Sequence, residues 1–523
     1  MKLDKDLLSI QEARDLAKAA KDAQLEFKHF SQEQVDKIVK AMAEAGYSEA
    51  ERLAKFAADE SGFGRWQDKV IKNQFGTKNV YESIKDLKTV GVIDSQANGK
   101  ILKIAEPMGV VCALVPSTNP TSTAMFKALI SVKCRNGMVA SPHPRTVNST
   151  VEAIRVLSNA AEKAGAPKGL LQCMSIPTIE GTEALMRDKN IAVILATGSN
   201  PMVKAAYSSG KPAYGVGSGN VPAFIERTAN YKKAVADIIY GTTFDNGTLC
   251  SSEQAMIVDR SLKEKVISEA KKQGGYFLNE DEKKKLANTI ILNKGGLNPE
   301  IVGKSARWIA DYAGFSVDEN TRVLIAFCEE VGRHEPLSVE KLSPILAFYT
   351  VDGWLEGCHK CLDLLNFGGV GHTMVIHSND SEIIMKFALE KPAFRILVNT
   401  VSSIGAVGYT TALAPSLTLG SGTWGGSIIS ENVTAKHLMN IKYLAYETNP
   451  VNESFGITST VGETNSKNFL FEIEERLKAR AGNPIYKNEI KSNSNLNSDG
   501  DKKFGTGLSE VELNKLINEF KKR

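Results

Sequence analysis

At 523 residues, 42% hydrophobic and 24% charged, the chain is long enough for two or three domains with sizeable cores. A formal net charge of +4 is too small to predict a nucleic-acid or membrane-surface partner, and no apolar run approaches the ~18 residues of a membrane span. The N-terminus, MKLDKDLLSIQEARD, has no apolar core of signal-peptide type, and seven scattered cysteines predict free thiols in a reducing, cytoplasmic setting.

The first ninety residues read as helices. Ser31-x-x-Gln34 and Ser48-x-x-Glu51 are capping-box patterns, in which hydroxyl and acid or amide satisfy the first free N–H groups reciprocally. Val35, Ile38, Val39 and Met42 repeat at helical spacing, and Gly46 is placed to end that helix. The segment is expected to be a packed helical subdomain without chemistry of its own.

From about residue 101 strands and helices alternate. Val110–Val115 is a continuous apolar run, as expected of a parallel strand buried on both faces. A helix is expected over Thr121–Asn136, a strand over Gly137–Pro142, and a helix capped by Ser149-x-x-Glu152. Then come strand Leu170–Ile176, helix Gly181–Asn190, strand Ile191–Ala196, helix Asn200–Ser209 and strand Pro212–Val216. Repeated βαβ units predict a doubly wound parallel sheet, which binds ligands at the carboxyl ends of its strands.

Two strand ends suggest chemistry. Thr197-Gly198-Ser199-Asn200 opens a helix, where small residues let a phosphate approach unpaired N–H groups and the positive helix end; a plain helix cap is the competing reading. Pro116-Ser117-Thr118-Asn119-Pro120 sets Asn119 between turn residues, either as a turn former or with its amide toward a ligand. Gly215 to Asn220 lacks the third glycine of the dinucleotide fingerprint and reads as close backbone packing beside a site.

Asp245-Asn246-Gly247 is a turn signal, Cys250 follows, and Ala255–Val258 looks like a buried strand. A cysteine on a fixed loop before a strand is where a nucleophile belongs; taken alone, a structural thiol is the competing reading. Cys358-His359-Lys360-Cys361, with His372 and His377 downstream, mimics a zinc site at too short a spacing, and buried free cysteines are expected instead. His372 reads either as an acid or base or as a core histidine. Residues beyond about 480 turn polar and Asn/Ser/Gly-rich, then end in LSEVELNKLINEFKKR, whose Leu513, Leu516, Ile517 and Phe520 share one helical face. A linker ending in such a helix reads as a docking peptide or as a frayed helix lying back on its own domain.

Several motifs together resemble the aldehyde dehydrogenase superfamily, specifically its CoA-acylating branch, over roughly residues 5–470. They are PSTNP (116–120), SPHPR (141–145), ATGS (196–199), AAYSSGKPAYGVGSGN (205–220), DNGTLCSSEQ (245–254), EKLSPIL (340–346), GVGHTMVIH (369–377) and TLGSGTWGGSIISEN (418–432). The resemblance implies an α/β fold with a doubly wound dinucleotide-binding domain (1–236), an α/β catalytic domain (237–430) and a return and oligomerisation element (431–480). Residues 481–523 follow as a linker and a candidate encapsulation helix. It implies Cys250 as nucleophile and Asn119, with the Cys250 backbone N–H, as the oxyanion hole; His372 is carried as a further catalytic candidate. Gly198 and Ser199 match the pyrophosphate-binding helix start, and Glu340 the contact to the nicotinamide ribose. Ser141, His143 and Arg145 fall at the adenosine, and Ser117, Thr118 and Gly217 complete the cofactor set.

Hydrolytic members carry a water-activating glutamate where this chain has Tyr214-Gly215-Val216-Gly217. Without that base a second thiol is the better acyl acceptor. The implied reaction is oxidation of a short aldehyde such as propionaldehyde to acyl-CoA, with NAD and coenzyme A. Pro144, near where hydrolytic members place a ribose-binding glutamate, leaves NAD or NADP open. A homo-oligomer, dimer or tetramer, is expected, with microcompartment shell proteins as possible partners of the C-terminal helix. A free thiol is only a few per cent ionised at neutral pH, so the loop, a helix dipole or a cation is expected to lower the Cys250 pKa.

Overall fold

The apolar runs that read as strands form two parallel sheets in a computed structural model that describes residues 4–292, 296–449 and 451. In chain order the strands begin with a hairpin, β1 (Gly91–Gln96) and β2 (Ile101–Pro107). Next come β3 (Val110–Val115), β4 (Gly137–Pro142), β5 (Leu171–Cys173), β6 (Ile191–Thr197) and β7 (Ala213–Val216). They form a wholly parallel sheet of order β5-β4-β3-β6-β7.

The chain then crosses through residues 217–220 into β8 (Val221–Ile225) and β9 (Glu253–Asp259). It continues with β10 (Gly275–Phe277), β11 (Val323–Phe327), β12 (Ile345–Val351), β13 (Gly371–His377) and β14 (Ala393–Val398). These seven pair in the order β10-β11-β12-β9-β8-β13-β14, again all parallel. The last strand, β15 (Met439–Ala445), returns to pair antiparallel with β2. Helices between the strands cover the sheets, which is why β3, β4, β8, β9 and β13 are buried along their whole length.

The N-terminal helices run over Lys5–Phe27, Gln32–Ser48, Ala50–Ser61 and Trp66–Gln74. Ser31 and Gln34 form the expected capping box. The other two boxes do not form. Ser48 lies inside its helix and donates to the Ala45 carbonyl. The helix expected to start at Ser149 begins at Val147, and Glu152 instead pairs with Arg52 and Arg155. Gly46 continues its helix rather than ending it, and it packs so closely that a Cβ there would sit 2.7 Å from the Thr77 methyl.

Among the described residues no helix is long and apolar enough to cross a membrane. Cys358 and Cys361 are buried free thiols on one helix, Gly353–Gly368, with Glu390 and Lys391 beside Cys358. The expected linker and C-terminal helix, residues 481–523, lie outside the described residues.

Candidate active site

The carboxyl ends of β3, β4, β6 and β7 face the amino ends of β9 and β12 across a cleft of about 960 Å³. Every residue singled out above except His372 lines it, from Ser117, Thr118 and Asn119 through Ser141, His143 and Arg145 to Gly198, Ser199, Gly217, Cys250 and Glu340. The sequence thus brings together segments more than two hundred positions apart.

Cys250 is half-buried on the loop ahead of β9. That loop starts in a left-handed run, with φ of 49° at Asp245, 52° at Asn246 and 72° at Gly247. Two consecutive non-glycine residues in this region are strained and persist only where surroundings hold them. Asp245 supplies the hold. Its carboxylate accepts from Arg65 N (2.6 Å), Lys69 Nζ (2.9 Å), Thr248 Oγ1 (2.8 Å) and Lys72 Nζ, and its own N–H donates to Asp68 (2.9 Å). Burial alone would raise Asp245, yet Lys69 and Lys72 hold its carboxyl below the ordinary value.

Asn119 is the N-cap residue of helix Pro120–Lys133 but makes no side-chain cap. Its amide is used elsewhere. Oδ1 accepts from Lys72 Nζ at 2.5 Å, and Nδ2 lies 3.1 Å from Thr118 Oγ1 and 3.5 Å from the Thr248 carbonyl. The helices expected to lack chemistry therefore supply two buried ammonium groups, Lys69 and Lys72, behind Asn119 and Asp245.

The electrostatics around Cys250 run against expectation. Burial, then the carboxylate of Glu340, pushes the thiol up to about 12; Arg395 and Lys72 oppose this and do not prevail. Glu340 is itself raised to about 7 by burial, against the hydrogen bond it accepts from Gly219 N at 2.9 Å. Its loop is anchored by the neighbouring Lys341, whose Nζ donates to the carbonyls of Gln254, Leu337 and Val339. The stretch Tyr214–Gly217 brings no carboxylate to the cleft, so the negative charge that acts on Cys250 is Glu340.

His372 lies behind the Gly-rich crossing rather than in the cleft. Its Nδ1 meets Thr373 Oγ1 at 3.0 Å, Nε2 has no protein partner, and burial holds the ring neutral, with a pKa near 3. A Cβ on Gly219 would fall 2.9 Å from that ring and closer still to the Cys250 carbonyl, so the close packing expected of the GVGSGN stretch is present. Arg395, buried, ties this layer together by donating to the carbonyls of His372 (2.7 Å), Gly420 (2.5 Å) and Ser430 (3.2 Å).

On the opposite wall, Ser199 starts helix Asn200–Tyr207 without a side-chain cap, and nothing lies within 3.9 Å of a Cβ built on Gly198. Free N–H groups thus open onto the cleft, the arrangement that receives a pyrophosphate. Ser141 Oγ meets Thr182 Oγ1 (2.9 Å), His143 Nδ1 accepts from Arg145 N (3.1 Å), and Arg145 pairs with Glu300 at the rim (3.0 Å).

Residues 7–276 match the model of the aldehyde dehydrogenase family. The chain is 46% identical over 442 residues to the bifunctional aldehyde-alcohol dehydrogenase of Escherichia coli K12, covering 84% of this chain and 50% of that one. It therefore spans about half the length of that curated relative. Among solved structures, an acetylating aldehyde dehydrogenase from Geobacillus thermoglucosidasius superposes with a TM-score of 0.85 at 51% identity, over 86% of this chain and 99% of the other. A propionaldehyde dehydrogenase from Rhodopseudomonas palustris, solved with bound CoA and an acylated cysteine, gives a TM-score of 0.76 at 28% identity, over 83% and 97% of the two chains.

Proposed function

The chain belongs to the aldehyde dehydrogenase family, and from that premise we propose that it oxidises a short aldehyde to its acyl-CoA through a thioester on Cys250. The observation that carries the reading is one cleft holding the Cys250 thiol, an amide whose oxygen is already engaged by Lys72, and an uncapped helix start.

The thiolate of Cys250 adds to the aldehyde carbonyl, and Asn119 Nδ2 with the Cys250 backbone N–H receives the oxyanion. Removing one such donor typically costs on the order of 100-fold in rate or more. Gly198 and Ser199 would hold the pyrophosphate of NAD, with Glu340 at its ribose, and the bound nucleotide would take the hydride that leaves the carbonyl carbon. Cys250 is left carrying the acyl group as a thioester. With no carboxylate in Tyr214–Gly217, where hydrolytic members carry a water-activating glutamate, the thiol of CoA is the acceptor that needs least help. The CoA thiol gives up its proton to solvent, its sulfur bonds to the acyl carbon, the bond from that carbon to Cys250 Sγ breaks, and the Cys250 thiolate is regenerated.

A two- or three-carbon aldehyde suits this reading, given an acetylating and a propionaldehyde enzyme among the similar structures. The C-terminal sequence pattern supports a further proposal, that residues 500–523 direct the protein into a microcompartment shell; a fluorescent fusion that stays diffuse beside co-expressed shell proteins would remove it. The central experiment follows NADH formation from acetaldehyde and propionaldehyde with and without CoA. CoA-dependent turnover that vanishes in a folded Cys250→Ala variant is the expected result. Turnover independent of CoA, or surviving that substitution, would end the assignment.

A further inference from the structure

Lys72 comes from the helix Trp66–Gln74, outside every motif that carries the family resemblance. Its side chain is 4% exposed, and the ammonium has a partner in each direction: Asp245, Thr248 Oγ1 (3.0 Å) and Asn119 Oδ1 (2.5 Å). An ammonium has only donors. It donates to the oxygen of the Asn119 amide and cannot pair with its NH2 end, so it selects one of the two amide orientations. The alternative flip would set NH2 against a buried cation and put the carbonyl oxygen opposite the Thr248 carbonyl, where it repels rather than bonds.

The same ammonium is bonded to Asp245, which holds the left-handed turn ahead of Cys250. Lys69 doubles the link by donating to Asp245 (2.9 Å) and to the Thr118 carbonyl (3.1 Å). One charged node therefore sets both the amide's orientation and the loop that carries the thiol.

Resting on the reading above, we infer that Lys72 is a positioning residue for the reaction: it fixes the orientation of the Asn119 amide, while Lys69 keeps Asp245 and the turn ahead of Cys250 held whether or not Lys72 is present. Lys72 touches no substrate and acts through Asn119.

The test is a double-mutant cycle on the full chain, with Asn119→Ala, Lys72→Met and the pair, following aldehyde- and CoA-dependent NADH formation. Asn119→Ala should lower kcat by about 100-fold or more. Lys72→Met should lower kcat by about 10- to 100-fold while KM for CoA and NAD stays within about twofold, and in the Asn119→Ala background it should cost less than about threefold. A residue that served only stability, or only the charge on Cys250, would give the same factor in both backgrounds. If Lys72→Met does not accumulate folded, Lys72→Gln, which keeps a donor, carries the cycle with a smaller but equally non-additive loss. An Asn119→Ala enzyme of normal turnover would overturn the oxyanion reading itself. A slow Asn119→Ala enzyme slowed by a further full factor on losing Lys72 would overturn the positioning role alone.

Discussion

Replacing Glu340 with glutamine should make Cys250 more reactive in the free enzyme, even though Glu340 belongs to the proposed site. With a pKa pushed up to about 12 by burial and by the Glu340 carboxylate, about one Cys250 in ten thousand is a thiolate at pH 8, against about a quarter of an ordinary thiol of pKa 8.5. That is a deficit of about 2,000-fold. A more basic thiolate is intrinsically more nucleophilic, and a Brønsted slope of 0.4–0.5 over this gap returns about 40-fold. Alkylation of Cys250 by iodoacetamide should therefore run about 50-fold slower than that of an exposed cysteine. Above the Glu340 titration, its rate should rise about tenfold per pH unit from 8 to 10 without a plateau.

Removing the carboxylate lowers the thiol pKa, and each unit gained is worth about threefold in labelling after the nucleophilicity loss. Because Glu340 itself titrates near 7, the two proteins should label alike below pH 6 and diverge above pH 8. Site-resolved mass spectrometry of nucleotide-free protein measures both profiles. A wild-type plateau below pH 9, or slower labelling of Glu340→Gln at pH 8, would refute the electrostatic account.

Two further outcomes follow from the packing. Glu253, wholly buried, has its carboxyl pushed up to about 8 by burial, so its contribution to stability is complete below its ordinary pKa of 4.5 and is lost as pH rises through 8. Glu253→Gln should then gain on the wild type by on the order of a few kcal/mol between pH 5 and pH 9 in urea titrations; a difference independent of pH would contradict the assignment. Gly219→Ala drives a methyl into the Cys250 carbonyl and the His372 ring, and should cost about 1–3 kcal/mol of stability together with most of the turnover. A fully active alanine variant would mean that the crossing is looser than described.

The alternating strands and helices were legible because each strand is a short apolar run between turn residues, and the register of parallel sheets follows from burial on both faces. Cys250 and Asn119 stood out as candidates because turn residues bracket them, but their proposed roles came from the family resemblance, since the turns alone fit a structural thiol and a turn former equally well. Lys69 and Lys72 were not. Their partner Asp245 lies 176 and 173 positions away, and in sequence they read as ordinary charges on a helix. One cue existed: both fall on the same helical face, three residues apart, and that face is buried. Arg395, inside the apolar strand β14, carried a similar cue, since a guanidinium there needs acceptors. The sign of the Cys250 shift could not be read at all, because it depends on a carboxylate ninety positions downstream folding to within electrostatic reach. The two failed capping boxes lost to chain geometry that continued or began the helices elsewhere.

Residues 217–220 are the direct passage from the five-stranded sheet to the seven-stranded one, and along it Gly217 meets Asn200, Gly219 meets Glu340 and the Cys250 carbonyl, and Asn220 Nδ2 grips the carbonyls of Ser338 and Leu364. This strap has no slack. A rocking of one sheet against the other should therefore strain the Cys250 loop, so the two walls of the cleft are expected to move together rather than independently. Lengthening the strap by one residue would leave every reactive group in the chain and uncouple the two walls.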